Sequence, residues 1–378
     1  MISERFFSDE HIRRKARELR ANDPLLLEKS IHALALLGHL VDSGLPFIFK
    51  GGTSVMLLLD PIRRLSIDID IQCGAARREV DAVLDSIATK PPFIRMEPDD
   101  RGGRGLPRRR HFFFYFRSIE TQQPHQYIQL DIVEEDRCPI PVQRRAIRAP
   151  LIDVEREVYV TIPTPEGLLA DKLTAFAPRT IGVRLRHEDG SPGRVMQVAK
   201  QLFDLGELFT VCQDIRAIQQ GYDAVAALEM EYRQPASSTR EEALQDTLRA
   251  CEEIALPGLR GAPRFADTEL LLDGIGRLKN HLVGVRFDPA VARIAAGKTA
   301  LLAACLLDAR AALDLAQVRY RGDAADLERL RGVTMTHEPW RCLNRLMAVN
   351  PEAFHYWHVA QRFMSPGAKS KTLDDYRT

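Results

Sequence analysis

Two aspartates that alternate with isoleucines are the first residues in this chain with an evident chemical use. In residues 66–71, SIDIDI, Asp68 and Asp70 are separated by one apolar residue. Because side chains along a β-strand point alternately to opposite faces, both carboxylates lie on one face, roughly 7 Å apart. Such a pair repels itself unless a cation is present, and Mg²⁺ prefers one or two carboxylates together with substrate phosphates. The stretch predicts a divalent metal site, with an ordinary strand whose aspartates face water as the alternative.

A glycine-rich turn lies a short distance upstream of this pair. Gly51, Gly52, Thr53 and Ser54 follow the short apolar strand predicted at 47–49 and precede a brief apolar helix. Such a turn offers backbone N–H groups, a hydroxyl and the start of a helix, which are the groups that bind phosphate. A phosphate site and a metal site are therefore predicted close together. An ordinary strand, turn and helix is the alternative.

Taken together, the two motifs resemble a known family. K-G-G-T-S at 50–54, followed by R-L-S-I-D-I-D at 64–70, looks like the signature of the AbiEii/AbiGii-type toxins, which belong to the nucleotidyltransferase superfamily with the DNA polymerase β fold. The combined pattern is more specific than either half, and the resemblance covers roughly residues 30–210. It implies an α+β fold, with a polymerase β-like core of mixed β-sheet flanked by helices.

A third acidic residue fits the catalytic pattern of that superfamily. In residues 127–133, YIQLDIV, the apolar side chains share one face and Asp131 lies on the other. The resemblance implies a third carboxylate on a strand next to the one that carries Asp68 and Asp70. Asp131 is therefore the predicted third metal ligand and catalytic residue, with an exposed strand aspartate as the alternative.

A lysine on the apolar face of a later helix also needs explanation. A helix is predicted after Thr164, and Lys172 falls on the face that carries Leu168 and Leu169. A lysine aimed inward needs an anionic partner, because a buried unpaired charge is costly. A triphosphate or a protein carboxylate would serve. The resemblance of ADKLTAF to an element of the family implies the triphosphate, whereas snorkelling of the side chain to the surface is the alternative.

Lys200 and Asp204 match a further element of the resembled family, Lys-Asp-x-x-Asp-Leu. The resemblance implies that Lys200 binds the nucleotide and that Asp204 is catalytic. Gln201 replaces the first aspartate of that element, so no acid role is assigned to it. Lys200 and Asp204 are four residues apart on a predicted helix and pair with each other in the alternative interpretation.

The overall charge does not indicate a nucleic-acid-binding protein, since 53 basic residues face 52 acidic ones. Any such partner must therefore be bound by a local patch. The stretch 101–110 is rich in arginine and precedes the aromatic run 111–116. Basic residues beside aromatic ones bind nucleic acids in many proteins, and the candidates are Arg101, Arg104, Arg108, Arg109 and Arg110. A solvent-exposed hairpin tip followed by a buried strand is the alternative.

Composition further restricts the class and the location. The six cysteines are scattered without a C-x-x-C pair, which argues against a zinc ribbon or a disulfide framework and is typical of a reducing compartment. No uncharged run reaches the 18 or so residues of a membrane span, and the first residues do not form a signal peptide. These features predict a cytoplasmic protein without a membrane partner.

The pattern predicts a division of the chain into three parts. Residues 1–210 are predicted to form the nucleotidyltransferase core with N-terminal helices, 211–364 an all-helical C-terminal domain, and 365–378 a flexible tail. The loop 179–193 is predicted to be mobile and on the surface. His355 and His358 are three residues apart on a predicted helix and are expected to pack rather than to bind metal.

These observations predict an enzyme that transfers a nucleoside monophosphate from an NTP to an acceptor and releases pyrophosphate. The resemblance implies Mg²⁺ or Mn²⁺ as the cofactor and the 3′ end of tRNA as the favoured acceptor. It also implies a toxin of a toxin–antitoxin or phage-defence system, with a cognate antitoxin protein as partner. Two alternatives stay open: transfer onto a protein or a small molecule, and a catalytically lapsed member that binds or regulates.

Overall fold

The computed structural model describes residues 4–99, 107–119, 122–152, 156–233, 238–308 and 312–364. It divides into two compact units. The first comprises Met1–Thr164 and Lys279–Arg286, and the second comprises Pro165–Leu278 and Phe287–Thr378. The flexible tail predicted at 365–378 lies outside the described residues.

The first unit combines helices with two β-sheets. A 3₁₀ turn at Glu4–Phe7 is followed by the regular elements, which in chain order are α1 (Asp9–Leu19), α2 (Pro24–Asp42), β1 (Ile48–Lys50), α3 (Gly51–Leu58), β2 (Ile69–Gln72), α4 (Arg77–Ala88), β3 (Phe93–Asp99), β4 (Arg109–Arg117), β5 (His125–Val133), β6 (Val142–Ala146) and β7 (Tyr159–Pro163).

The larger sheet has the strand order β1-β2-β5-β4-β3. Strands β2 and β5 are parallel, and the other neighbouring strands are antiparallel. Strands β6 and β7 form a separate antiparallel pair. The mixed sheet with flanking helices is the α+β architecture that the sequence predicts.

One face of this sheet forms the core of the first unit. Alternate residues of β4 (Phe112, Phe114, Phe116) and of β5 (Ile128, Leu130, Ile132) are buried in a single apolar cluster with residues of α2 and α4. Helix α2 begins at Pro24, because Asp23 Oδ1 accepts hydrogen bonds from the N–H groups of Leu25 and Leu26 at 2.9 and 3.3 Å. The odd-numbered residues of β4 and β5 point to the opposite face.

In the second unit, every regular element among the described residues is a helix. In chain order they are α5 (Pro165–Ala175), α6 (Val195–Leu208), α7 (Ile215–Tyr232), α8 (Arg240–Ala255), α9 (Thr268–Arg277), α10 (Pro289–Leu307), α11 (Ala324–Leu330), α12 (Leu346–Val349) and α13 (Pro351–Met364), with a 3₁₀ turn at Trp340–Arg345. A further 3₁₀ turn, Leu278–His281, begins at the last residue of this unit before the chain returns to the first. The structural division falls after residue 164 and not at the predicted 210, because α5 and α6 pack against α7, α9 and α10.

The loop 179–193 is on the surface as predicted, since residues 186–192 are exposed, but an ion-pair network anchors it. Arg179 is half-buried and forms salt bridges with Asp246 at 3.1 Å and with Glu253 and Asp267 at 2.8 Å. Arg186 pairs with the second oxygen of Asp267 at 2.7 Å. These partners fix the loop against α8 and the start of α9, so the loop belongs to the packed structure of this unit.

The two long apolar helices α2 and α10 satisfy the length and hydropathy of a membrane span. In each of them, 67% of the apolar window is buried inside the protein, which is the state of a core helix. His355 Nε2 donates a hydrogen bond to the carbonyl of Val318 at 2.8 Å and the side chain is buried, in agreement with the predicted packing role.

Candidate active site

The pairing of β2 with β5 brings two of the predicted catalytic aspartates together. The strands are parallel, and Asp70 and Asp131 are direct Cα partners in the ladder. Neighbouring strands lie about 4.8 Å apart, and paired residues share a face, so the two half-buried carboxylates lie side by side. The predicted placement of Asp131 on a strand next to that of Asp70 is confirmed.

Asp68 lies just outside this ladder. The strand predicted at 66–71 begins only at Ile69, which places Asp68 one residue before it. The carbonyl of Asp68 accepts a hydrogen bond from Thr53 Oγ1 at 2.7 Å, which fixes this backbone against α3. Lys29 of α2 is an electrostatic neighbour: burial lowers the pKa of Lys29, and the Asp68 carboxylate acts in the opposite direction. Asp68 therefore has a cationic neighbour that the sequence did not reveal.

The two glycines allow the two motifs to pack against each other. Gly51 adopts the left-handed conformation (φ +73°), and a Cβ at this position would collide with the carboxylate of Asp70. A Cβ at Gly52 would lie 2.7 Å from Arg64 Nη2 and 2.8 Å from Ser66 Oγ. The R-x-S-x-D-x-D segment therefore lies directly against the glycine turn, and a Cβ at either glycine would force side chains of that segment to move.

The hydroxyl groups of the turn serve the fold. Thr53 donates to Asp68, and Ser54 Oγ donates to the carbonyl of Gly51 at 2.8 Å; both residues are buried. Their hydrogens are thus committed to the backbone, so the phosphate role predicted for this turn passes to the N–H groups of the first turn of α3. These groups have no partners within the helix and carry its positive dipole end.

Two side chains that the sequence did not single out hold Asp131. His111 Nδ1 lies 2.6 Å from Asp131 Oδ1, and Gln129 Nε2 donates to the same oxygen at 2.8 Å. Both contacts end on Oδ1, and such partners orient a carboxylate that binds metal. The register pairs His111 of β4 directly with Asp131 of β5. The sequence feature that could have indicated this role is the position of His111 at the start of the alternating aromatic run of β4.

The carboxylates suit a metal that arrives with its substrate. Within the described ranges, no group of three or more His, Cys, Asp and Glu side chains forms a metal-binding cluster. Mg²⁺ usually keeps several waters and binds one or two carboxylates plus substrate phosphates, so it does not require a closed protein cage. Asp70 and Asp131 supply these carboxylates beside a helix start that suits phosphate.

Lys172 and Asp204 belong to the second unit and contact each other. Lys172 Nζ lies 3.4 Å from Asp204 Oδ2, and their side chains are 6% and 1% exposed. Lys172 is therefore paired with a protein carboxylate. This is the alternative to the triphosphate that the resemblance implies as its partner. Lys200 lies one turn before Asp204 on α6. The nucleotide-binding role of Lys172 and Lys200 and the catalytic role of Asp204 stay predictions.

The arginine candidates for nucleic-acid binding have different environments. Arg110 pairs with Asp81 and lies 3.9 Å from Glu134, so its charge is used within the first unit. Arg108 and Arg109 are exposed. Arg101 and Arg104 lie outside the described residues. The aromatic run 111–116 is only half core, because Phe113 and Tyr115 point away from the buried face.

A mixed sheet in which two adjacent parallel strands each present an aspartate, beside a Gly-Gly turn and a short helix, defines a nucleotidyltransferase core. A family model described as "Nucleotidyl transferase AbiEii toxin, Type IV TA system" matches residues 35–296. The chain therefore belongs to the AbiEii family of nucleotidyltransferase toxins, and it is a nucleotidyltransferase.

One solved structure that aligns with most of this chain agrees with this fold. The chain is similar to MenT4, the nucleotidyltransferase toxin Rv2826c from Mycobacterium tuberculosis H37Rv, with 16% identity and a TM-score of 0.53 over 93% of this chain and 99% of that chain. An antigenic nucleotidyltransferase-like protein from Paracoccidioides brasiliensis is also 16% identical, with a TM-score of 0.34 over 54% of this chain and 88% of that one. A comparison with curated protein sequences finds no match.

Proposed function

We propose that this chain is the toxin of a type IV toxin–antitoxin or phage-defence system, and that it transfers a nucleoside monophosphate from an NTP to RNA in the cytoplasm. The 3′ end of tRNA is the favoured acceptor and pyrophosphate the second product. The observation that carries the proposal is the register of β2 and β5, which sets Asp70 beside Asp131 next to the glycine turn.

In this reaction, the protein contributes mainly position and charge. The N–H groups at the start of α3 would hold the β- and γ-phosphates, and the close packing of Gly51 on Asp70 fixes the distance between the phosphates and the carboxylates. Asp131, oriented by His111 and Gln129, would accept the proton of the attacking hydroxyl. Mg²⁺ or Mn²⁺ held by Asp68, Asp70 and Asp131 would neutralise the charge of the phosphates and of the leaving pyrophosphate.

The contacts of Lys172 and Asp204 support a different role from the one implied by the resemblance. Both side chains are buried as an ion pair in the helical unit, and removal of one partner takes a buried counter-charge away from the other. We infer that this pair stabilises the packing of α5 and α6. A direct part in phosphate binding or catalysis is the alternative, and a double variant of Lys172 and Asp204 distinguishes the two.

The proposed reaction is tested by incubation of the purified protein with each labelled NTP, Mg²⁺ and total RNA. We expect label in RNA of tRNA size, and none when EDTA is added. Label in protein or in a small product would show that the acceptor is a protein or a small molecule and not RNA. Retained NTP binding without any transfer would show a lapsed enzyme.

Two variants sharpen this test. Asp70→Asn keeps the size of the side chain but removes the charge, and should abolish transfer without a change in the unfolding midpoint. Asp85→Asn lies on the exposed side of α4 and serves as the matched control, with activity as in the wild type. Equal activity of the two variants would remove Asp70 from the mechanism. For the antitoxin, growth arrest on expression should be relieved by co-expression of a neighbouring open reading frame.

A further inference from the structure

The open face of β4 and β5 carries a group of aromatic rings in line with Asp131. The ladder pairs His111 with Asp131, Phe113 with Gln129 and Tyr115 with Tyr127, and all of these point away from the buried core. Phe113, Tyr115 and Tyr127 are referred to here as the aromatic face. Phe113 lies level with Gln129, two residues from Asp131 along β5. Tyr115 lies level with Tyr127, four residues from Asp131.

These rings are not needed to fill the core of the first unit. Phe112, Phe114 and Phe116 already serve that purpose on the opposite face. The centroid of Tyr127 lies 4.6 Å from that of Phe113 and 5.8 Å from that of Tyr115, and Tyr127 is 42% exposed. Tyr127 therefore presents its ring to solvent, beside the half-buried rings of Phe113 and Tyr115.

Cations surround the aromatic face. Lys29 Nζ lies 5.1 Å from the centroid of Tyr127, and Arg95 Cζ lies 3.7 Å from that of Tyr115. Arg109 and Arg117 are exposed at the two ends of β4 and share the odd-numbered face. Two carboxylates of β3 share this face: Glu97, which accepts a hydrogen bond from Arg95 and is paired with Phe113, and Asp99, which is paired with His111. Rings for stacking with basic groups at the margins are typical of single-stranded nucleic-acid sites.

On the basis of the proposed function, we infer that the aromatic face binds the unpaired 3′ end of the RNA acceptor by stacking of its bases. The rise of a strand places Phe113 about 7 Å and Tyr115 about 14 Å from the level of Asp131. Successive phosphates of a nucleic-acid strand lie about 3.4 Å apart along its axis. The aromatic face thus spans two to four stacked nucleotides, whose terminal hydroxyl would reach Asp131.

The strand order favours the acceptor over the base of the donor NTP as the occupant. In the order β1-β2-β5-β4-β3, the glycine turn follows β1 on one side of Asp70 and Asp131, whereas the aromatic face lies on β5 and β4 toward the other. An in-line transfer needs its donor and acceptor on opposite sides of the reacting phosphorus. A donor held at the glycine turn therefore leaves the aromatic face for the acceptor.

Binding of a 5′-labelled single-stranded RNA of about eight nucleotides to the full-length protein tests this inference by fluorescence anisotropy. Tyr127→Ala should weaken binding roughly 5- to 150-fold, the loss expected for one base stacked on one ring. Tyr127→Phe keeps the ring and should bind within about twofold of wild type. Tyr159→Ala is the matched control, since Tyr159 is 44% exposed, its ring centroid lies 5.3 Å from Arg144 Cζ, and it belongs to the separate pair of strands β6 and β7. Equal binding by Tyr127→Ala and Tyr159→Ala, or absence of binding by the wild type, would overturn the inference.

The transfer assay separates this inference from the proposed function. In it, Tyr127→Ala should raise KM for RNA and leave KM for the NTP unchanged. A raised KM for the NTP alone would assign the rings to the donor base and refute the inference. If Asp70→Asn stops transfer while Tyr127→Ala binds RNA like wild type, the proposed function is supported and RNA binding by the aromatic face is refuted. If the wild type binds RNA through Tyr127 but transfers nothing to it, the binding face stands and the proposed reaction fails.

Discussion

Replacement of Gly51 by alanine probes the contact between the two motifs most directly. At φ +73°, any residue with a Cβ pays roughly 1–2 kcal/mol for the left-handed conformation. The added methyl group would also overlap the carboxylate of Asp70, which must move by about 1 Å or more. A shift of that size at a reacting centre costs on the order of 100-fold in rate, or about 2.7 kcal/mol of activation free energy. We therefore expect Gly51→Ala to lower kcat by about 100-fold.

Gly44→Ala separates the backbone cost from the displacement of Asp70. Gly44 has φ +79°, but a Cβ there would meet no atom within 4 Å. Urea denaturation should show a loss of roughly 1–2 kcal/mol for Gly44→Ala and at least as much for Gly51→Ala. Only Gly51→Ala should lose transfer activity in the labelled-NTP assay. Similar activity of the two variants would show that the position of the Asp70 carboxylate does not limit the reaction.

Three further predictions follow from individual contacts. His111→Ala removes one of the two groups that orient Asp131, so the Mg²⁺ concentration for half-maximal transfer should rise about 10- to 100-fold while the unfolding midpoint changes little. Lys172→Met should lower the free energy of unfolding by about 3–5 kcal/mol because it removes one partner of a buried ion pair, and Lys172→Met with Asp204→Leu should recover most of the loss. Burial lowers the pKa of His32 to about 4, so the unfolded chain binds the extra proton between pH 6.5 and 4. Stability should fall by about 3 kcal/mol as the pH drops through this window, and His32→Phe should flatten that part of the curve.

Each of these predictions has a result that contradicts it. An unchanged Mg²⁺ dependence of His111→Ala would mean that Gln129 alone orients Asp131. If the double variant of Lys172 and Asp204 is stable but its KM for the NTP rises, the lysine binds phosphate as the resemblance implies. An equal loss of stability at low pH in His32→Phe would assign that loss to other groups.

Local pattern was sufficient for some elements and not for others. Alternation predicted the strand that carries Asp131, and Thr164 before Pro165 predicted the start of α5. Both signals come from neighbouring residues, and burial of one face is enough to fix them. The pairing of Asp70 with Asp131 was implied by the family resemblance, since nothing local relates two strands 60 residues apart.

The strand predicted at 66–71 begins only at Ile69, because the preceding residues form hydrogen bonds with residues distant in the sequence. Arg64 forms a β-bridge with Leu282, and the N–H of Leu65 donates to the carbonyl of His281 at 2.7 Å. The carbonyl of Ser66 accepts from Ser30 Oγ at 2.9 Å. The hydrogen bonds of this segment therefore go to residues far away in the sequence, so that the ladder with β5 begins only at Ile69. The same limit applies to Arg179, whose carboxylate partners follow 67 or more residues later.

The contacts also explain why the two halves of the family motif occur together. Gly51 gives room to the carboxylate of Asp70, Gly52 gives room to Arg64 and Ser66, and Thr53 holds the carbonyl of Asp68. Each position of one half thus constrains a position of the other. A glycine turn alone would bind phosphate at an arbitrary distance from any metal, and the aspartates alone would lie at an arbitrary distance from any phosphate. Their direct contact fixes both distances at once, which is why the combined pattern indicates nucleotidyl transfer more strongly than either half.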